Sequence, residues 1–442
     1  MADIRIINAR ILPIDGRSGT IDDGEILVRD GRIAALQRGG EGTETGAAET
    51  VIDAGGQLVM PGLVNTHTHA AMTLLRSYAD DLPLMDWLQD EIWPVEAHLS
   101  PQDVYWGTAL AAVEMLKSGT TTCSDMYFFM SDAARAYSDV GNRAVVAPGL
   151  FSFSEEPEQR LADAAAFCRE WQGAAGGRIT TMLAPHAPYT VDAEYMGRIL
   201  ETAAELGIPI HTHVSETKGE VEDSYAQHGM SPVRYLEQLG VIGHPHVLAA
   251  HCVHLNDEDI AILGEHRVAV AHNPQCNMKL GNGVAPVVEL DAAGATVGVA
   301  TDGVASNNNL NLWEEMRMAA FLQKGHYHDT TRLPAAAALE MGTRQGAAAL
   351  ALGEQTGSIE VGKQADLIFI DLQRPQFQPI HDITANLVYS AYGSEVSRVL
   401  VAGNEVVRDG RMTTVDEAEI YARARECAER LIRAAGRTPH VG

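Results

Sequence analysis

The segment Met60-Pro-Gly-Leu-Val-Asn-Thr-His67-Thr-His69 is an apolar run that ends in two histidines spaced i, i+2. On a strand, alternate side chains share a face, so His67 and His69 point the same way. Two imidazoles aimed together from the end of a strand suit one metal ion, and neutral imidazole is the commonest protein ligand for zinc. Such a pair also suits two ordinary strand-end histidines, so the other polar strand ends decide. These are His186 in Ala184-Pro-His186-Ala-Pro-Tyr189, His211 and His213 in His211-Thr-His213-Val-Ser-Glu216, His251 and His254 in Ala250-His251-Cys-Val-His254, and Asp302 in Ala300-Thr-Asp302-Gly.

Each of these has a chemical use. His213 supplies a third nitrogen, and Glu216 just beyond it can move protons without binding metal. His211 lies on the same strand face by parity, so spacing alone admits either histidine. The neighbouring carboxylate favours His213, which leaves His211 as a hydrogen-bonded barrel histidine. His251 is a further ligand or holds the attacking water or the substrate, whereas His254 reads as structural. Asp302, flanked by small residues, can reach an ion and accept a proton from its water. No lysine ends a candidate strand to bridge a second metal. A mononuclear site of three histidines and one aspartate follows, expected to take zinc, with iron, nickel and manganese permitted by the same donors.

These residues need a frame. Apolar strands alternate with amphipathic helices through the middle of the chain, the pattern of βα units around a parallel sheet. The eight candidate strands are Leu58 to His67, Thr120 to Met126, Arg143 to Leu150, Ile179 to His186, Ile208 to His213, Val247 to His251, Val268 to Asn273 and Thr296 to Asp302. Helices are expected at Pro101 to Ser118, Asp192 to Gly207 and Asp257 to Glu265. Eight units favour a closed (β/α)8 barrel, an α/β fold whose active sites sit at the C-terminal strand ends. The polar residues gather at those ends. No Gly-x-Gly-x-x-Gly follows a strand, so a dinucleotide fold has no support.

Short alternating strands occupy both chain ends, for example Glu25-Ile-Leu-Val-Arg and Ala365-Asp-Leu-Ile-Phe-Ile, with a Gly/Glu/Thr-rich loop at Gly39 to Thr50. Neither end is large enough to close a core alone. The expectation is a small composite β-sandwich from residues 1–60 and 356–442 beside a barrel over 61–355.

Bulk properties narrow the partners. The 442 residues carry a formal charge of −27, and phosphate backbones need a concentrated basic face. Nucleic acid and anionic membranes are therefore excluded as expected partners. No apolar run approaches the roughly 20 residues of a spanning helix. The first residues lack the charged-then-apolar layout of a signal peptide. The cysteines Cys123, Cys168, Cys252, Cys276 and Cys427 are scattered without a Cys-x-x-Cys pair, as expected of a soluble cytoplasmic chain.

The motifs Pro61-Gly-Leu-Val-Asn-Thr-His67-Thr-His69, His213-Val-Ser-Glu216-Thr, Ala250-His251-Cys-Val-His254-Leu and Thr301-Asp302-Gly-Val-Ala-Ser306 resemble the amidohydrolase superfamily. Within it the chain most resembles the 5′-methylthioadenosine/S-adenosylhomocysteine deaminases, over nearly its whole length. The metal motifs are shared with guanine, cytosine and s-triazine hydrolases. More discriminating are Trp93-Pro-Val-Glu96, Ala184-Pro-His186-Ala-Pro-Tyr189 and His272-Asn-Pro-Gln-Cys-Asn-Met-Lys-Leu-Gly-Asn-Gly283.

The resemblance implies hydrolytic attack on C6 of an adenine ring. It assigns His67, His69, His213 and Asp302 to one divalent ion, whose bound water is acidified toward a pKa of about 7. Asp302 would take the water's proton, Glu216 would protonate the ring nitrogen and help ammonia leave, and His251 would hydrogen-bond the attacking oxygen. Glu96 matches the residue that binds ribose hydroxyls, and His186 one near the ribose and purine. Trp87 and Met85 are expected in the apolar wall, and Ser306 with Asn307 to Asn309 at the mouth. Related barrels often form homo-oligomers through loops beside the site.

One departure matters. Family members that accept the homocysteine group present arginines to its carboxylate, one of them just after the third strand. Here that stretch reads Val146-Ala-Pro-Gly-Leu-Phe-Ser-Phe, without arginine, and Arg160 on the following helix is the remaining candidate. A buried, uncompensated carboxylate costs binding energy, so 5′-methylthioadenosine is favoured over S-adenosylhomocysteine. The competing readings are another amidohydrolase, acting on guanine, a pterin or a triazine, and a non-catalytic scaffold that should purify without metal.

Overall fold

A computed structural model describes residues 3–17, 19–39 and 48–437. The loop expected at Gly39 to Thr50 lies mostly outside the described residues.

Eight parallel strands form a ring. In chain order they are Leu63–Thr68, Thr120–Tyr127, Arg143–Leu150, Ile179–Thr181 continued by Ala184–Pro185, Ile210–Val214, Val247–His251, Ala269–His272 and Thr296–Val299. Strands one to four and five to eight form two parallel sheets. Backbone bonds join the sheets at both seams. His211 N–H donates to Leu183 O (3.0 Å) and His213 N–H to His186 O (2.9 Å), while Asp302 N–H donates to His67 O (3.0 Å). At the second seam Thr66 Oγ1 also donates to Val299 O (3.0 Å). The ring is a (β/α)8 barrel.

The barrel interior is filled by small and medium side chains, including Val64, Ala147, Ala184, Ala250, Ala271 and Ala300. That plug leaves the strand ends as the place where polar groups can collect. Helices pack outside, against a continuous apolar core. Their ends follow local signals. Ser100 and Asp103 form a capping box before Pro101–Lys117, and Asn256 with Asp259 does the same before Asp257–Glu265. Ala193–Leu206 starts on the Asp192 cap and stops at Gly207, whose φ of 64° suits glycine.

The expected first strand, Leu58 to His67, is two strands. Leu58–Pro61 leaves the barrel and pairs with Ile370 to Leu367 and with Arg10 and Ile11. The break falls at Gly62, where an added Cβ would lie 2.1 Å from Thr121 Oγ1. Only glycine lets the chain cross so close to strand two.

Strands from both chain ends combine in one nine-stranded sheet, in which Leu58–Pro61 lies between the N-terminal and C-terminal sets. Ile6, Ile26, Val59, Leu367, Phe369 and Leu400 share its separate core. A buried ion pair ties the sheet to the barrel. Arg143 of strand three donates through Nε and Nη2 to Asp366 (2.7 and 3.1 Å), and Asp366 also accepts from Ala402 N–H (2.6 Å). All five cysteines are free and buried. Among the described residues, no helix is long and apolar enough to cross a membrane.

Candidate active site

His67 and His69 leave strand one on the same side, His213 leaves strand five, and Asp302 follows strand eight. Two overlapping sets of ligand atoms result: His67 with His69 and Asp302, and His67 with His213 and His251. Within each set the atoms lie within 4.8 Å of one another. Asp302 Oδ1 is 3.4 Å from His67 Nε2 and 3.3 Å from His69 Nε2.

In each of the three histidines the other ring nitrogen is already engaged. His69 Nδ1 meets Met126 O (2.5 Å), His213 Nδ1 meets His186 O (2.7 Å), and His67 Nδ1 meets His211 Nε2 (2.9 Å). A carbonyl can only accept, so the Nδ1 atoms of His69 and His213 carry the protons and their Nε2 lone pairs are free. His67 Nε2 is fully buried with no hydrogen-bond partner. A buried polar atom without a partner is costly unless something else binds it. Three imidazoles and one carboxylate, with an orphaned nitrogen among them, are chemically suited to hold a divalent metal ion.

Electrostatics agree with that use. Burial pushes the His67 imidazole down to about 4, aided by His69 and His251. Burial and the neighbouring histidines hold His213 well below its ordinary value. Both rings are therefore neutral at neutral pH, the form that donates a lone pair. Burial works to raise the Asp302 carboxyl, but His67, His69 and His251 outweigh it, and the group stays well below the usual carboxylate range.

Two titratable groups flank the nest. Glu216 Oε2 lies 3.7 Å from His251 Nε2, which lies 3.8 Å from Asp302 Oδ2. Burial raises the Glu216 carboxyl, with Asp302 adding to the effect and His251 opposing it. For His251, burial is outweighed by Glu216 and Asp302, so its imidazole is raised. The backbone is unusual here as well. Ser215, His251 and Asp302 have φ of 51°, 75° and 62°, a left-handed region that non-glycine residues seldom occupy.

The nest forms the floor of a cavity that Trp87, Glu96, His186 and Ser306 also line. Glu96 accepts a hydrogen bond from the Tyr127 hydroxyl, and burial raises its carboxyl to about 7. His186 stacks on Phe151 with ring centroids 4.6 Å apart. Ser306 Oγ donates to Gly303 O (3.0 Å), and Asn307 is buried against Thr301 O and Glu315. Two expected residues lie elsewhere. Arg160 is exposed and lines an adjoining cavity that shares Glu96 and Phe151, and Met85 lines a third cavity beyond Tyr189.

Several partners escape a reading of the sequence by spacing. Asn277 Oδ1 meets His251 Nδ1 (3.0 Å), Asn282 Nδ2 donates to Glu216 Oε1 (2.9 Å), and Cys276 Sγ donates to Asp302 Oδ2 (2.8 Å). All three fall in the His272–Gly283 motif, whose presence is a signal although its individual roles are not. His254, read as structural, meets Asn282 O (2.7 Å).

His211 is buried behind His67 rather than beside His213. Its removal leaves the His67 Nδ1 without a partner, and such partners typically tune metal affinity about 10–100-fold. His211→Ala is accordingly expected to lose metal to a competing chelator at about 10–100-fold lower chelator concentration than the unaltered protein. Equal retention would refute an orienting role for His211.

The comparisons with known proteins agree with this fold. A model of the "Amidohydrolase family" matches residues 58–406. The chain belongs to the amidohydrolase family. It is 47% identical over 429 residues to the 5-methylthioadenosine/S-adenosylhomocysteine deaminase of Syntrophomonas wolfei subsp. wolfei, covering 97% of this chain and 99% of that one. It is 46% identical to the 5′-deoxyadenosine deaminase of Methanosarcina acetivorans, covering 98% and 99%. Among solved structures, an adenosine deaminase from Xanthomonas campestris with bound zinc superposes with a TM-score of 0.94 at 38% identity, covering 98% and 99%. Within its family the chain stands with the 5-methylthioadenosine/S-adenosylhomocysteine deaminases.

Proposed function

We propose that this chain is a hydrolytic deaminase that replaces the 6-amino group of adenine nucleosides with oxygen and releases ammonia. The observation that carries this reading is Glu216, a buried carboxyl with a raised pKa, facing His251 and Asp302 across the floor of one cavity. His67, His69, His213 and Asp302 would hold the metal, with zinc the best match to nitrogen and oxygen donors without thiolate. When bound, such an ion supplies a water acidified to near neutrality.

The chain's own groups supply the proton traffic. Glu216 starts as the acid and gives its proton to the ring nitrogen beside C6 as oxygen adds to that carbon. Asp302 accepts the proton from the incoming oxygen. His251, held by Asn277 and biased toward its cationic form, donates a hydrogen bond to that oxygen. Glu216, now a carboxylate, takes the proton of the hydroxyl formed at C6 and passes it to the amino group; the C6–N bond breaks, ammonia leaves, and the proton held by Asp302 returns to Glu216.

Glu96 would accept the ribose hydroxyls, and His186 and Trp87 would pack around the nucleoside; their place in the lining of the cavity supports this. The names of the relatives support an adenine nucleoside with a modified 5′ position. The stretch Val146 to Phe153 has no arginine, which favours 5′-methylthioadenosine over S-adenosylhomocysteine. Buried free cysteines support work in a reducing cytoplasm. The shared terminal sheet supports a division into residues 1–60 with 356–442 and a barrel unit at 61–355.

Steady-state kinetics on 5′-methylthioadenosine, S-adenosylhomocysteine, adenosine and guanine would test this, following ammonia and the adenine chromophore. The expected kcat/KM for 5′-methylthioadenosine exceeds that for S-adenosylhomocysteine by about tenfold or more, the effect of an unpaired carboxylate. Turnover of guanine without turnover of 5′-methylthioadenosine would overturn the assignment.

A further inference from the structure

Glu216 is useful only if its carboxyl stays where both a ring nitrogen and an amino group can reach it. Among the described residues its side chain has one hydrogen-bonded tether, Asn282, so its placement depends on the backbone beneath it. That backbone is not a strand. Strand five ends at Val214, and Ser215 then turns through a left-handed φ of 51°. A turn of this kind leaves its N–H groups outside any ladder, and they need acceptors of their own.

One side chain meets both. Glu220 Oε1 accepts from Ser215 N–H (2.8 Å), and Oε2 accepts from Glu216 N–H (2.7 Å). Glu220 is fixed in turn by its helix. It occupies the first turn of Lys218–His228, where its own N–H donates to the Thr217 cap (3.0 Å). A first-turn glutamate usually reaches back to the capping residue itself. Here it reaches further and holds the two residues before the cap. From the other side, Ser215 O accepts from Val253 N–H (3.0 Å) and His254 N–H (2.9 Å), which lie just after His251. The turn is thus clamped between the helix of Glu220 and the loop of His251.

We propose that Glu220 is a positioning residue for proton transfer: its carboxylate straps the Ser215–Glu216 turn and so keeps the Glu216 carboxyl between Asn282 and His251. This rests on the deaminase reading for its kinetic consequence, although the strap itself does not. Glu220 lines the third cavity beyond Tyr189 and is absent from the lining of the nucleoside cavity, so its loss should act on kcat and leave substrate affinity and metal content in place. A misplacement of a catalytic group by about 1 Å costs on the order of 10²-fold in rate.

The test uses the metal-loaded protein and three variants. Glu220→Ala is expected to lower kcat for 5′-methylthioadenosine about 10²-fold, with KM changed less than about threefold and metal content unchanged. Glu220→Gln keeps one acceptor oxygen and should recover part of the rate. Glu220→Asp keeps the carboxyl group but is one methylene shorter, and should stay as impaired as alanine. Hydrogen exchange at the Ser215 and Glu216 amides should accelerate in the alanine variant, a readout independent of turnover. Unchanged kcat with unchanged exchange would overturn the proposal, as would a rate loss matched by loss of metal or of folded protein. Failure of the unaltered protein to deaminate any adenine nucleoside, with exchange still faster in Glu220→Ala, would sink the deaminase reading and leave the strap standing.

Discussion

Glu216→Gln is expected to lower kcat by about 10³-fold while the metal stays bound, within the 10² to 10⁴ that acid–base catalysis contributes. Glutamine preserves the shape and one acceptor for Asn282, so the loop should not move. What it lacks is a proton to give and a site to take it back. The unaltered enzyme carries a second signature. Burial lifts the Glu216 carboxyl above its ordinary range, so the acid form is present at low pH and is lost as pH rises through the raised value. The rate should therefore fall on the alkaline side where Glu216 ionises, and the glutamine variant should lack that fall. A glutamine variant within tenfold of the parent would remove Glu216 from the reaction.

His213→Ala should abolish activity and release the ion together. Stripping the unaltered protein with a chelator should do the same, and added zinc should restore that protein but not the alanine variant. Binding also stabilises the fold, by about 4 kcal/mol when the free ion stands at 1,000 times its Kd. The apo protein should thus melt at a lower temperature. This experiment also separates the two overlapping donor sets. His251 is close enough to His67 and His213 to be a ligand, yet its Nε2 also faces Glu216 and Asp302. If its task is to hydrogen-bond the attacking oxygen, His251→Asn should keep its metal and lose turnover. Loss of metal from that variant instead would make His251 a ligand.

Much of this arrangement was legible because two periodicities carry it. Alternation along a strand puts His67 and His69 on one face, and the barrel brings distant strand ends together. The same alternation could not separate His211 from His213, since both lie on one face of strand five. Depth separates them: His211 sits one step further into the barrel, where it meets the back of His67. The break at Gly62 was hidden because the run on either side is uniformly apolar, and only the crowding at Thr121 distinguishes two strands from one. Asn277, Asn282, Cys276 and Glu220 were illegible for a different reason. They sit on, or just after, helices that follow strands five and seven, and no repeat in the sequence encodes where those helices lie at the barrel mouth.

The pairing of Leu58–Pro61 with Leu367–Ile370 has a consequence for biosynthesis. Chains emerge from the ribosome N-terminus first, so the opening strands, although paired with one another, must wait for this partner until the whole barrel has been translated. Their unpaired edges are open to wrong partners throughout that interval. Asp366 also arrives late to neutralise Arg143, a cation already committed to strand three. Maturation of the catalytic mouth is therefore coupled to completion of the polypeptide, and nascent fragments that stop short of these strands should be clients for chaperones rather than early enzymes.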